Sequence, residues 1–192
     1  MLNQTYSKTN FLKKEIDIEF DIDYLNLMLY KKDDLYYTIN GELELKEEIV
    51  INSKNIFSVY TDGSYDLYLQ ISKALKEICN LYDINIEKQK YMIYGKISKY
   101  GHNTNRAWYD FPGINIPYLH GMYFPSEAEY KVSFMNNKST KEEIFNKNGL
   151  FINKPTDIIN IKTDKEQEII EFYIVPLYSL KHNEPGVWVP IN

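Results

Sequence analysis

The chain has 192 residues, of which 44% are hydrophobic, values that suit one globular domain over residues 1–192. Its 22 basic and 27 acidic residues give a net charge of −5 and are spread along the sequence. No basic patch therefore indicates nucleic-acid binding. The single cysteine, Cys79, excludes a disulfide framework and a cysteine-rich zinc site. No apolar run is long enough to span a membrane, and no signal-peptide core begins the chain.

The N-terminal third predicts one strand, one short helix and one hairpin. Residues 1–14 are polar and are expected to be mobile. Residues 15–20 alternate strictly between polar and apolar side chains, which predicts a strand. Asn40-Gly41 suits the tight turn of a hairpin over residues 35–50. The apolar spacing that predicts the short helix comes from Leu25, Met28 and Leu29.

A long amphipathic helix is predicted at about residues 64–82. Gly63-Ser64 provides a break and an N-cap. Cys79 lies beside the apolar stripe and is interpreted as a small core residue. The stripe recurs at three- and four-residue steps and consists of Leu67, Ile71, Ala74, Leu75, Ile78 and Tyr82.

Short strands separated by Gly, Pro and Asn follow residue 91 and predict a mainly β fold with flanking helices. The polar segment 138–148 is interpreted as a loop that contains a helical turn. The predicted strands cover residues 91–97, 114–124, 129–135, 150–153, 157–162 and 168–177.

Four short motifs in this part of the chain resemble landmarks of Fe(II)/2-oxoglutarate oxygenase-like proteins of tailed phages. In that family a strand leads to H-x-H or H-x-D-x-P-G, and later strands carry G-x-Y-Y and F-P-x-x-x-x-H. The resemblance implies a double-stranded β-helix, which is a jelly-roll-like fold. The motifs here are Y-M-I-Y-G-K-I-S-K-Y-G (91–101), R-A-W-Y-D-F-P-G (106–113), Y-L-H-G-M-Y-F-P (118–125) and G-L-F-I-N-K-P-T-D-I-I-N-I (149–161).

The same resemblance implies that the iron site is erased. Such a site needs two histidines and a carboxylate, yet Trp108 and Asn160 stand at the histidine positions and only Asp110 is retained. A basic residue that anchors the cosubstrate is expected near Gln167 or Glu168, which are neutral or acidic. We therefore expect no catalytic residues, no bound metal and no cofactor.

An alternative metal site recruits His102, Asp110 and His120, which lie close together in the sequence. Their spacing lacks the H-x-H or i, i+4 pattern that preorganises ligands on one element. Isolated histidines are more often surface groups or satisfied core groups. This set nevertheless keeps open the hypothesis of an active oxygenase or another metalloenzyme.

An aromatic cluster allows two further interpretations. Its side chains either fill the interior of the roll or form a platform for sugars or protein partners. The platform leads to the hypothesis of a carbohydrate-binding module. The members are Trp108, Tyr109, Phe111, Tyr118 and Tyr123, followed by Phe124.

The C-terminal segment, residues 181–192, is predicted to be an extended arm that contacts partners. Pro185 and Pro190 favour an extended backbone, and an exposed apolar stretch usually marks a contact surface. The competing interpretation is that the segment covers the core of its own chain. The apolar residues of the arm are Val187, Trp188, Val189 and Ile191.

These observations favour a non-enzymatic structural protein of a tailed-phage virion, in the neck, the tail or a capsid-associated position. The expected partners are other virion proteins and further copies of the same chain, without nucleic acid or membrane. The expected location is the virion, assembled in the host cytoplasm. The alternatives remain an active oxygenase or other metalloenzyme, and a carbohydrate-binding module.

Overall fold

A computed structural model describes nine segments of the chain. They cover residues 11–29, 55–59, 61–81, 90–102, 104–106, 119–135, 140–154, 158–180 and 188–191. Within these segments, no helix is long and apolar enough to cross a membrane.

Ten strands and two α-helices make up the described structure. The helices are α1, residues 22–29, and α2, Asp62–Leu81. Short 3-10 helices cover Ile56–Ser58 and Leu177–Ser179. The strands are β1 (Phe11–Glu15), β2 (Tyr91–Tyr100), β3 (Thr104–Arg106), β4 (Leu119–Phe124), β5 (Tyr130–Met135), β6 (Thr140–Phe145), β7 (Gly149–Asn153), β8 (Ile158–Lys162), β9 (Gln167–Pro176) and β10 (Val189–Ile191).

Two antiparallel sheets form a roll. One sheet has the order β1-β7-β4-β9-β2-β10 and the other has the order β3-β8-β5-β6. Eight of these strands pair as one long folded hairpin, with β2 on β9, β3 on β8, β4 on β7 and β5 on β6. This pairing is the jelly-roll, or double-stranded β-helix, arrangement, and it confirms the predicted fold class.

The six-stranded sheet is buried on both faces. Successive side chains on a strand point to opposite faces, so β2 directs Tyr91 and Ile93 toward α2 and directs Tyr100 into the roll. β4 likewise directs Tyr123 toward α2 and Phe124 into the roll. The central strands β7, β4 and β9 are therefore buried along almost their whole length, which is typical of a sheet covered on both sides.

The helix predicted at about residues 64–82 is confirmed as α2, and the short helix around Leu25 is confirmed as α1. The predicted cap at Gly63-Ser64 is wrong by two to three residues. The backbone N–H of Ser64 donates to Thr61 Oγ1 at 3.1 Å, and the N–H of Thr61 donates to Ser64 Oγ at 3.1 Å. Thr61 is therefore the N-cap of a reciprocal capping box.

The N-terminal strand lies earlier than the sequence pattern predicted. β1 covers Phe11–Glu15, so the strand predicted at residues 15–20 is wrong, and residues 11–14 belong to a strand. Ile16 and Ile18 are buried against the α2 side of the sheet without forming a ladder. Buried and exposed side chains therefore alternate at residues 16–19 because this irregular segment packs against the sheet, and not because it forms a strand. Residues 1–10 and the hairpin predicted at 35–50 lie outside the described residues.

The polar segment predicted as a loop contains β6 instead. Thr140–Phe145 pairs with β5 along its whole length and forms an edge of the four-stranded sheet. Lys141, Glu142 and Ile144 are exposed, and Phe145 is buried. An edge strand that carries charges has little hydrophobic alternation, which is why the sequence pattern missed it.

The C-terminal residues lie on the protein's own sheet. β10 pairs with β2 through Val189 and Ile93, and Ile191 is fully buried in the core between the sheet and α2. Trp188 packs against Tyr94, with ring centroids 5.6 Å apart. The prediction of a contact arm is therefore wrong for residues 188–191, while Val187 lies outside the described residues.

Candidate functional site

A polar cluster lies on the inner face of the six-stranded sheet. It occupies two neighbouring rows of side chains that cross strands β7, β4, β9 and β2. Strand register places Asn153, His120, Tyr173 and Tyr94 in the first row, and Phe151, Met122, Glu171 and Lys96 in the second. Ser98 follows Lys96 on the same face of β2.

Glu171 is the centre of this cluster, and its side chain is 1% exposed. Its Oε1 accepts a hydrogen bond from Tyr173 Oη at 2.7 Å and lies 3.1 Å from His120 Nε2. Its Oε2 accepts a hydrogen bond from Ser98 Oγ at 2.9 Å and lies 3.5 Å from Lys96 Nζ. Both carboxylate oxygens are therefore occupied, and three strands are connected through one side chain.

The surroundings of Glu171 keep it ionised. Burial by itself raises the pKa of a carboxyl group, because it penalises the charged form. Burial is the largest single influence on this carboxyl, but the hydrogen bonds from His120 and Tyr173 and the charges of His120 and Lys96 together outweigh it. The pKa of Glu171 is therefore held well below its usual range, and the roll interior carries a fixed carboxylate with Lys96 as its cation.

This arrangement suits structural cross-linking better than acid–base chemistry. A general base needs a pKa near the working pH and a free lone pair directed at a substrate. Glu171 has a strongly lowered pKa and four polar neighbours within 3.5 Å. Its negative charge would also repel a dicarboxylate cosubstrate at close range.

Asn153 lies beside His120 and is fully buried. Its Nδ2 donates to the carbonyl oxygen of Lys154 at 2.9 Å. Its Oδ1 has no hydrogen-bond donor within the part of the chain that the structure describes. Asn153 thus adds an acceptor to the inner face next to the saturated Glu171 network.

The two described histidines of the predicted set lie in different surroundings. His120 is buried in the roll and bound to Glu171, whereas His102 is exposed in the bend after β2. Asp110 lies outside the described residues, as does His182. Within the described segments, no three His, Cys, Asp or Glu side chains form a group suited to a metal ion.

The predicted ligand position on β8 faces the wrong way. Ile159 and Ile161 point into the roll, so Asn160 between them points to the opposite face. A metal ligand on this part of β8 would have to face the interior of the roll. The predicted correspondence of Asn160 with the last ligand histidine of the family therefore does not hold. The other erased position, Trp108, lies outside the described residues.

The described members of the aromatic cluster do not form a platform. Tyr123 is fully buried on the α2 side of the sheet, and Phe124 is fully buried in the roll. The two rings therefore lie on opposite faces and neither is accessible for stacking. Trp108, Tyr109, Phe111 and Tyr118 lie outside the described residues.

The buried charge of the late strand lies later in the chain than the anchoring position that the sequence predicted. Gln167 and Glu168 begin β9, and the buried charge is Glu171 in the middle of that strand. A signal was present, because Glu171 interrupts the apolar run from Ile169 to Val175. A charge inside such a run is rarely buried unless it is paired, and this pattern predicts a partnered carboxylate.

No protein-family model and no curated protein matches the chain. Among solved structures, a Pseudomonas putida prolyl-4-hydroxylase is similar with a TM-score of 0.43 and 8% identity, over 85% of this chain and 87% of that one. Streptomyces albus HEPD with 2-hydroxyethylphosphonate and Fe(II) bound gives a TM-score of 0.36 and 11% identity, over 44% and 18% of the two chains. Lactobacillus farciminis oxalate decarboxylase gives a TM-score of 0.33 and 15% identity, over 45% of this chain and 27% of that one.

These neighbours share the double-stranded β-helix fold. The chain has that fold. It spans less than a third of the length of the HEPD and decarboxylase structures. Similarity at this level concerns the fold alone, because one roll hosts many unrelated activities.

Proposed function

We propose that the protein is a non-catalytic structural protein of a tailed-phage virion, built on an oxygenase-like roll whose interior serves to hold the fold together. The observation that carries the non-catalytic part is Glu171. This buried carboxylate is saturated by four polar neighbours on three strands. A side chain so engaged stabilises the roll and has little remaining capacity to act on a substrate.

Charge in the roll interior supports the same proposal. An oxygenase of the resembled family uses a basic residue on a late strand to hold the far carboxylate of its cosubstrate. The late strand β9 instead places Glu171 on the inner face, and Lys96 on β2 is already paired with it. Among the described residues, the roll interior therefore contains no unpaired positive charge that could bind a dicarboxylate.

The phage part of the proposal is supported by the resemblance of the sequence motifs at residues 91–161 to tailed-phage oxygenase-like proteins. We propose the virion, assembled in the host cytoplasm, as the location. The proposed partners are other virion proteins and further copies of this chain, since most assemblies of this kind are symmetric.

Metal and cosubstrate binding test the non-catalytic part. Purified protein is analysed for bound iron, manganese and zinc, and 2-oxoglutarate is titrated into the protein with and without Fe(II). We expect no stoichiometric metal and no heat of cosubstrate binding. Tight metal binding that disappears in Asp110→Ala, or 2-oxoglutarate turnover to succinate, would establish the oxygenase alternative.

Particle association tests the virion part separately. Virions of the phage that encodes the chain are purified and their proteins are quantified by mass spectrometry. We expect this chain at a fixed copy number per particle, and loss of assembled particles when its gene is deleted. Its absence from complete virions would contradict the structural role, whatever the outcome of the metal experiment.

A further inference from the structure

The turn between β6 and β7 contains an Asn-Gly sequence in a special backbone conformation. The turn covers residues 146–148, and Asn148 has φ of 65°. Asparagine is one of the few residues other than glycine that adopts this left-handed conformation readily. Gly149 follows as the first residue of β7 and is buried.

Four hydrogen bonds hold Asn148 and the amide that follows it. The Oδ1 of Asn148 accepts from Tyr123 Oη at 2.7 Å. Its backbone N–H donates to the carbonyl of Phe124 at 2.8 Å, and its carbonyl accepts from the N–H of Ile16 at 3.0 Å. The N–H of Gly149 donates to the carbonyl of Asn146 at 3.0 Å.

An Asn-Gly sequence is chemically labile in an open chain. The backbone nitrogen of the glycine attacks Cγ of the asparagine, a new N–C bond forms, and the side-chain amide leaves as ammonia after proton transfer. Water then opens the succinimide ring at either carbonyl, which gives aspartate or isoaspartate. Glycine permits this attack because it has no side chain to obstruct the approach.

We propose that Asn148 is a latent deamidation site that the folded roll keeps unreactive. The attack requires the Asn148 side chain to rotate away from Tyr123 and the Gly149 nitrogen to separate from Asn146. Both movements break hydrogen bonds in a turn fixed between β4, β7 and the segment after β1. The reaction therefore proceeds only from an opened state.

Reaction in the opened state impairs the return to the native fold. Deamidation to aspartate places a carboxylate where the buried Tyr123 hydroxyl meets a neutral amide. Isoaspartate inserts an additional backbone carbon at the residue that makes the turn. The strand register of β7 depends on this turn, so modified chains are expected to refold poorly.

Peptide mapping by mass spectrometry tests the proposal, and it separates Asn148-Gly149 from the chain's other such pair, Asn40-Gly41. The full chain and a synthetic peptide of residues 142–154 are incubated at mildly alkaline pH. We expect Asn148 in the folded chain to react more slowly by at least about tenfold, the factor that an opening free energy of about 1.4 kcal/mol gives. Equal rates in the chain and the peptide would overturn the proposal.

Two further measurements identify the protecting contacts. Tyr123→Phe should accelerate deamidation about fivefold, the factor expected for one lost hydrogen bond. Tyr178→Phe, at a side chain that is 76% exposed, should leave the rate unchanged. The wild-type rate should also rise to that of the peptide as urea unfolds the chain, and this measurement does not depend on how well Tyr123→Phe folds. A rate that urea does not change would refute protection by the fold.

Discussion

Glu171 has an unusual position for a charged residue, since carboxylates are seldom fully buried unless they are paired. Removing one partner from a buried pair costs more than a surface pair contributes, because the remaining charge loses both its partner and its water. The role of Glu171 can therefore be measured through stability, independently of any activity.

Glu171→Gln should lower the free energy of unfolding by about 3 kcal/mol, because Lys96 loses its counter-charge and the network loses a charged acceptor. Lys96 is 26% exposed, so solvent moderates the loss. Urea denaturation at neutral pH measures the change. Glu166→Gln is the matched control at a side chain that is 66% exposed, with an expected change under about 0.5 kcal/mol. Equal effects of the two variants would contradict the network.

The stabilisation from Glu171 should depend on pH in one direction. The lowered pKa means that its contribution is fully present above the ordinary value of 4.5 and is lost as pH falls toward the folded-state value. The difference in unfolding free energy between wild type and Glu171→Gln should thus shrink below about pH 4.5. A pH series of urea denaturation curves measures it. A difference that grows with acidification would reverse the assigned sign.

At the scale of elements, the six-stranded sheet depends on close approach at β4. A Cβ at Gly121 would lie 2.2 Å from the Phe172 ring and 2.7 Å from the carbonyl oxygen of Phe151. Both distances are much shorter than normal packing distances. The contact with Phe151 involves a backbone atom, which cannot move away as a side chain can. Glycine at this position allows Phe172 to lie across β4 beneath α2.

Gly121→Ala should therefore destabilise the protein by about 1–3 kcal/mol through overpacking. Thermal unfolding followed by circular dichroism measures the loss. Gly101→Ala is the matched control, because a Cβ there meets no atom within 4 Å. A melting temperature that falls equally in both variants would show that the close approach at Phe172 is unimportant.

The capping box of α2 stabilises the first turn of that helix. Thr61→Ala removes the side-chain acceptor for the N–H of Ser64 and should cost about 1 kcal/mol. Thr61→Ser keeps the acceptor and should cost much less. Chemical denaturation of the two variants separates them, and similar losses in both would contradict Thr61 as the cap.

At the scale of the whole molecule, the C-terminal segment closes the sheet. Ile191 is fully buried in the core between the six-stranded sheet and α2, and Tyr68 Oη on α2 donates to the carbonyl of Pro190 at 2.8 Å. Residues of the C-terminal segment and of α2, which are distant in sequence, thereby belong to one hydrophobic core. This arrangement assigns β10 a stabilising role within its own chain.

Deleting residues 188–192 should markedly lower the melting temperature, since it removes a buried isoleucine and a sheet edge. Ile191→Ala alone should cost about 2–5 kcal/mol and Ile191→Val about 1 kcal/mol. Thermal and urea unfolding measure these changes. A truncated chain of unchanged stability that fails to self-associate would restore the interpretation of a contact arm.

Most strands of the roll could be predicted from the sequence. Period-two alternation with Gly and Pro breaks indicated a roll, and the resemblance of the motifs implied the double-stranded β-helix. These signals are local, so most strands could be recognised one at a time. The stripe around Leu67 and Ile71 likewise determined α2, since helical periodicity is a property of one segment. The polar edge strand β6 escaped because its pairing with β5 is non-local and its surface is charged.

The residues of the site come together only in the folded chain. It brought Ser98, His120 and Glu171 together from three strands, over sequence separations of up to 73 residues. It also turned Asn160 away from the interior and placed Ile191 inside the core. Side-chain direction on a strand reverses with a shift of a single residue. Burial of Ile191 depends on which surface lies beside the C-terminal residues. The direction of Asn160 and the burial of Ile191 are therefore fixed only when the sheets are assembled.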